Sequence, residues 1–170
     1  MEKQRSELTL VVRSPSFGAN GAIPVQFSVE GDNTPPALVW ERVPEEANSI
    51  AIICEDPDAP GRVFTHWIVV GIPPLTTHFD PIGPPPGTQF GKNDHGSLGW
   101  YGPNPQSGRH RYAFRVFALD INLDKPNLTR EQFDAAIEHH VVARGELVGT
   151  FEKKPLRSTT ATLSTPSPHR

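Results

Sequence analysis

Asp56, Asp58 and His66 fall within the eleven residues DPDAPGRVFTH, and His110 and Tyr112 fall within GRHRY. An aspartate beside a histidine keeps one ring nitrogen protonated and oriented. The other nitrogen is then free to donate to an anion or to take a proton. The same groups could act as general acid and base toward a bound substrate or water. Hydrolysis through a covalent intermediate would need a nucleophile beside them, and no serine in a strained turn supplies one. The set suits holding an anion better than attacking a substrate, so no catalytic residue is assigned. Metal binding is not expected either, because no HxxxH or CxxC pair occurs. His139 and His140, read as helical neighbours, would point about 100 degrees apart. No cofactor is called for.

Strands must position these groups. In HRYAFRVF (110–117), alternation puts His110, Tyr112, Phe114 and Val116 on one face. Arg111, Ala113, Arg115 and Phe117 take the other, where Arg111 is expected to pair with a carboxylate of the sheet. His66 likewise leads into an apolar strand, and both histidines follow a Pro/Gly loop. One small polar pocket, built from two strands and their loops, is the simplest arrangement. Turn formation alone could also account for DPDAP, and a lone histidine heading a strand is often a hydrogen-bonded core residue. It is the combination that points to a pocket. Ala59–Pro60 is a candidate cis bond that would place both carboxylates. Cys54 reads as a small buried hydrophobe rather than a nucleophile.

In chain order, strands are predicted over 8–12, 25–30, 37–43, 49–55, 64–72 and 110–120. The run SIAIICE (49–55) is continuously apolar, as for a central strand covered on both faces. Residues 73–109, rich in proline and glycine, read as a long functional loop. Thr129 and Gln132 have capping-box spacing, and the apolar period that follows predicts a helix to about Glu146. A last short strand is predicted over 148–153.

The 170 residues suffice for one domain with a sizeable core, here 1–153. The Ser/Thr/Pro-rich tail 154–170 is expected to be disordered. A net charge of −3 and a pI near 6.1 argue against a nucleic-acid partner. No apolar run approaches the ~20 residues of a membrane span. The apolar core of MEKQRSELTLVVRS is too short for a secretory leader. A single cysteine fits a reducing cytosol, and a cytoplasmic location is expected.

With these residues in view, the chain resembles the phosphatidylethanolamine-binding protein family, also called Raf kinase inhibitor-like. The resemblance runs over about 8–152 and is carried by GDNTPPALVW, DPDAP, THW, GKNDHGSLGWYGPNP and GRHRYAFRVFALD. The short form and the ending ELVGTFEK are similar to the prokaryotic-type branch. The resemblance implies a mainly β fold: two packed antiparallel sheets forming a β-sandwich, one substantial C-terminal helix and short peripheral helical turns. It also implies an anion pocket walled by Asp56, Asp58, Pro60, His66, Pro103, His110 and Tyr112, with Gly102 and its neighbours supplying backbone donors. Gln106 stands where many relatives have another proline. The implied function is non-enzymatic binding of a small anion or a phosphorylated, phospholipid head-group-like ligand. Two alternatives stay open. One is a regulator or inhibitor of a protease or kinase, acting through that protein partner, alone or as a homodimer. The other is a hydrolase using His66 or His110 with Asp56. A kinase-regulating role is not carried over, since the helix bordering the pocket in animal forms is not recognisable here.

Overall fold

The computed structural model describes residues 6–153, so the predicted disordered tail 154–170 lies outside the described residues. Three strands form the centre of the molecule: β4 (Ser49–Asp56), β5 (Phe64–Ile72) and β8 (Arg109–Leu119). Every residue of β4 is buried. It pairs antiparallel with β5 on one side and β8 on the other, and side chains cover both of its faces. Four shorter pieces precede or interrupt these: β1 (Leu8–Thr9), β2 (Val11–Arg13), β3 (Leu38–Glu41) and β6 (His78–Phe79). β7 (Gln89–Phe90) and β9 (Val141–Glu152) complete the set. A six-stranded sheet runs β1-β9-β8-β4-β5-β7 and a three-stranded sheet runs β2-β3-β6.

The strand predicted over 8–12 is two strands in different sheets. The chain changes sheets at Leu10, itself buried. β1 runs parallel to β9, so the large sheet is not purely antiparallel as expected. One buried cluster contains Val12, Leu38, Trp40 and Phe79 of the small sheet with Ile52, Trp67, Phe114 and Val116 of the large one. Where a strand was predicted over 25–30, the chain makes a short 3-10 turn, Val25–Phe27. Pro24 starts it, and the Ser28 hydroxyl donates to the Val25 carbonyl. The stretch 73–109 carries β6 and β7 rather than being wholly loop.

The only helix among the described residues, α1 (Arg130–Ile137), begins as predicted. Thr129 Oγ1 accepts from the Gln132 N–H, and Gln132 Oε1 accepts from the Thr129 N–H. Phe133 and Ile137 bury themselves beside Phe117 and Ile53 in a second cluster, on the other face of the large sheet. The helix stops nine residues before Glu146. His139 takes a left-handed backbone at φ 67°, which ends the helix and turns the chain into β9. β9 then pairs with β8 from Leu119↔Val141 to Arg109↔Glu152. His139 and His140 therefore follow the helix instead of sharing it. Gly145, within the predicted helix, lies in β9, where the Leu10 carbonyl leaves no room for a Cβ.

Candidate functional site

β4 and β8 deliver the first pair of groups. Asp56 closes β4 on the face that carries Cys54 and Ile52, and His110, second residue of β8, lies on the face that carries Tyr112 and Phe114. His110 Nδ1 lies 2.6 Å from Asp56 Oδ2, and both side chains are largely buried. A carboxylate only accepts, so Nδ1 carries the proton and Nε2 is left over, with no protein partner among the described residues. Asp56 Oδ1 accepts the Asp58 N–H at 2.8 Å, which fixes the carboxylate rotamer. No cis bond is needed for this: Ala59–Pro60, a cis candidate from the sequence, is trans, and Gly61 makes the reversal at φ 82°.

His66 reaches the same place by a different device. Cys54 pairs with Trp67 but Glu55 pairs with Thr65, so His66 is an extra residue in β5. Such a bulge breaks the alternation. Trp67 packs in the inner cluster, Thr65 Oγ1 meets Arg130 on the opposite face, and His66 lies edge-on to Tyr112 at 5.2 Å. His66 Nδ1 sits 2.6 Å from the Tyr101 carbonyl. Burial lowers its affinity for a second proton, outweighing the opposing pull of that carbonyl, of Asp56 and Asp94, and of the Gly102 backbone. Tyr112 is wholly buried, and burial followed by the Asp56 charge pushes its phenol far up. The Asn104 backbone approaches it, yet its hydroxyl makes no hydrogen bond of ordinary geometry. An orphaned buried hydroxyl is a cost that the fold tolerates.

Asp56, Pro60, His66, His110 and Tyr112 line one cavity of about 370 Å³. Three of the predicted site residues stand outside it. Asp58 is taken by Arg111, accepting its backbone N–H and both arms of its guanidinium. The Arg111 hydrogen bonds hold the Asp58 carboxyl down to about 2. Gly102 gives its N–H to Asn33 Oδ1 at 2.8 Å, and its close approach to the Phe27 carbonyl excludes a side chain. Pro103 is buried and accepts from the Val29 N–H.

The cavity also has walls that strand periodicity did not reveal: Phe64, His95, Tyr101, Asn104, Pro105 and Gln106. The rings of His95 and Tyr101 stack at 4.0 Å and 6°. Asn93 positions this rim: its Oδ1 accepts the His95 and Ser97 N–H groups, and its Nδ2 donates to the Gly99 carbonyl. A buried asparagine amid glycines in GKNDHGSLG was the available signal for such a hub.

A wider opening of about 590 Å³ lies on the other face, lined by Glu55, Arg62, Thr65, Asp94 and Arg130 among others. Most of its charges are already matched, Arg62 and Asp94 with each other. Glu55 pairs with Arg115 at 2.5 Å and Arg130 at 2.6 Å, and Arg130 also pairs with Asp134. The smaller cavity is the better candidate because its polar atoms are not used up. No metal-ligating cluster occurs among the described residues. None of their helices is long and apolar enough to cross a membrane.

Comparison with known proteins bears on this arrangement. Residues 13–152 match the family model described as phosphatidylethanolamine-binding protein. A UPF0098 protein of Methanothermobacter thermautotrophicus is 42% identical over 148 residues, covering 84% of this chain and 98% of its own length. Among solved structures, the Chlamydia trachomatis phosphatidylethanolamine-binding protein homologue CT736 superposes with a TM-score of 0.81. It is 34% identical, with 86% of this chain and 99% of that one covered. YbcL of E. coli, described as a new member of the mammalian family, gives 0.79 at 30% identity over 85% and 99%.

Proposed function

We propose, from the premise that this chain belongs to the phosphatidylethanolamine-binding protein family, that its cavity holds a small oxyanion without turning it over. The ligand class is inorganic phosphate or the phosphate of a small phosphorylated head group. One observation carries the reading: the Tyr112 hydroxyl, fully buried and unpartnered, faces a cavity shared with two imidazoles whose Nδ1 atoms are already committed. A bound oxygen would give that hydroxyl its hydrogen bond. Asp56 holds His110 so that Nε2 meets the ligand, and a cationic ring would add charge to the contact. Pro60, Pro105 and Gln106 form the mouth. Asp58 acts from behind through Arg111 and its hold on the turn, and Gly102 and Pro103 shape the wall through backbone packing. The two sheets enclose this end as a sandwich, and the single buried thiol of Cys54 suits a cytosolic setting.

Titration calorimetry with inorganic phosphate and with phosphoethanolamine tests the reading. Wild type should bind, and Tyr112→Phe should bind roughly tenfold or more weakly. Equal binding by both proteins would remove the hydroxyl from the site. Release of free phosphate from the ester, lost in His110→Ala, would instead make the Asp56–His110 pair a general base.

A further inference from the structure

We infer that His110 is a phosphoryl acceptor, whose Nε2 takes the phosphoryl group of an acyl phosphate inside the cavity and becomes phosphohistidine. This rests on the oxyanion reading and extends it. Phosphate esters of head groups, monoester or diester, are held intact, because an alkoxide leaves badly. An acyl phosphate presents the same oxygens together with a carboxylate that leaves readily.

The nucleophile that no serine supplies is the imidazole itself. His110 Nδ1 donates to Asp56 Oδ2 at 2.6 Å, so the lone pair of the neutral ring lies on Nε2. That atom has no protein partner among the described residues, and the ring lines the cavity. Attack through Nε2 places positive charge on the ring, and the Asp56 carboxylate offsets it. The two side chains are 12% and 5% exposed, so little water screens that compensation. Two positions along the same face of β8, the buried and unpartnered Tyr112 hydroxyl lines the same cavity. It donates to a phosphoryl oxygen, where negative charge spreads during transfer. His66 is the poorer nucleophile. The backbone of Tyr101 and Gly102 engages its ring, and no carboxylate hydrogen-bonds to it among the described residues.

The step balances within the cavity. The P–Nε2 bond forms as the bond from phosphorus to the acyl oxygen breaks. The electron pair leaves with the carboxylate, and the Nδ1 proton stays in the contact with Asp56.

A second Asp–His pair isolates what the cavity adds. Just beyond the other end of β8, His140 Nδ1 lies 2.8 Å from Asp120 Oδ1. Its ring is 41% exposed and lines neither cavity described above. The carboxylate contact is common to both histidines. Enclosure and the tyrosine hydroxyl belong to His110 alone.

The test incubates the full chain with acetyl phosphate at about pH 8, above the ordinary imidazole range. Intact mass counts the phosphoryl groups, and fragmentation under alkaline conditions, where phosphohistidine survives, places them. His110 should be labelled about tenfold faster than His140 or more. Inorganic phosphate should slow labelling at His110 by occupying the cavity and leave His140 unaffected. Asp56 is the positioning residue: in Asp56→Asn, labelling of His110 should fall about tenfold while phosphate still binds. Should that variant not fold, the protection of wild type by phosphate decides. Phosphate binding without an adduct, or equal labelling of His110 and His140, would overturn the inference and leave the oxyanion reading standing. If wild type neither binds phosphate nor is labelled, the oxyanion reading itself fails.

Discussion

His66 and Tyr101 hold each other twice. The His66 Nδ1–H donates to the Tyr101 carbonyl at 2.6 Å, and the Tyr101 N–H donates to the His66 carbonyl at 3.0 Å. Their rings lie 13° from parallel. A cavity-lining histidine on a bulged strand is thus aimed by the backbone of a loop, and anything that loosens the loop reaches the cavity before it reaches the core.

Asn93→Ala is the direct probe of that dependence. It strips the partners of the His95 and Ser97 N–H groups and of the Gly99 carbonyl. A stability loss of about 1–3 kcal/mol is expected. Hydrogen exchange should quicken over 93–101 while β4 and β8 stay protected. Unchanged exchange in the loop would mean that Tyr101 is held by other contacts.

Asp56 and His110 should be energetically coupled. His110→Ala strands a buried carboxylate oxygen and should cost about 1–3 kcal/mol of stability as well as affinity. Adding Asp56→Asn removes that stranded charge, so the double variant should be more stable than the sum of its parts. Phe114→Ala, in the middle of the core against Phe17 and Trp100, should cost roughly 3–5 kcal/mol and serves as the packing reference. Urea unfolding of wild type, His110→Ala, Asp56→Asn and the double variant gives the coupling energy. Strict additivity would show that the 2.6 Å contact contributes nothing.

Tyr112→Phe should separate stability from binding. It deletes a hydroxyl that is buried without a partner, so the ligand-free protein should be as stable as wild type or more so. Added phosphate should raise the melting temperature of wild type far more than that of the variant. A variant clearly less stable than wild type without phosphate would mean that the hydroxyl has a protein partner after all.

Stability should fall in two separate acid ranges. Native His66 resists protonation while the unfolded chain takes up a proton at the ordinary value of 6.5. Its contribution is therefore present above that value and is lost as pH falls below it. Asp58 behaves likewise lower down. Its carboxyl is held at about 2 against 3.8 unfolded, so the Arg111 contact is fully felt above 3.8 and fades between 3.8 and 2. Chemical unfolding across pH should lose the first slope in His66→Gln and the second in Asp58→Asn. The second should be small, since Arg111 is exposed.

The central strands were legible because burial imposes a period of two. SIAIICED and RHRYAFRVFAL could hardly be anything else, and the predicted faces of His110, Tyr112, Phe114 and Val116 are the faces found. β9 was not legible. Ala143, Arg144, Glu146 and Leu147 favour helices, and only the long ladder with β8 overrides them. The bulge at His66 leaves no trace in apolar periodicity, since it exists only in the pairing with β4. His95 and Tyr101 escaped for a related reason. They sit in a loop whose shape comes from the side chain of Asn93 rather than from any repeat.

The large sheet is completed late. β1 lies beside β9, and the Glu7–Arg144 ion pair joins residues 137 positions apart. During synthesis most of the barrier to folding must therefore wait for the final strand, as contacts of such long range come slowly. Until β9 emerges, β8 has an open edge that any other strand could occupy. That edge belongs to the strand bearing His110 and Tyr112. The candidate pocket is among the last parts of the chain to mature, and a nascent chain stalled before residue 141 should present a sticky sheet and no formed cavity.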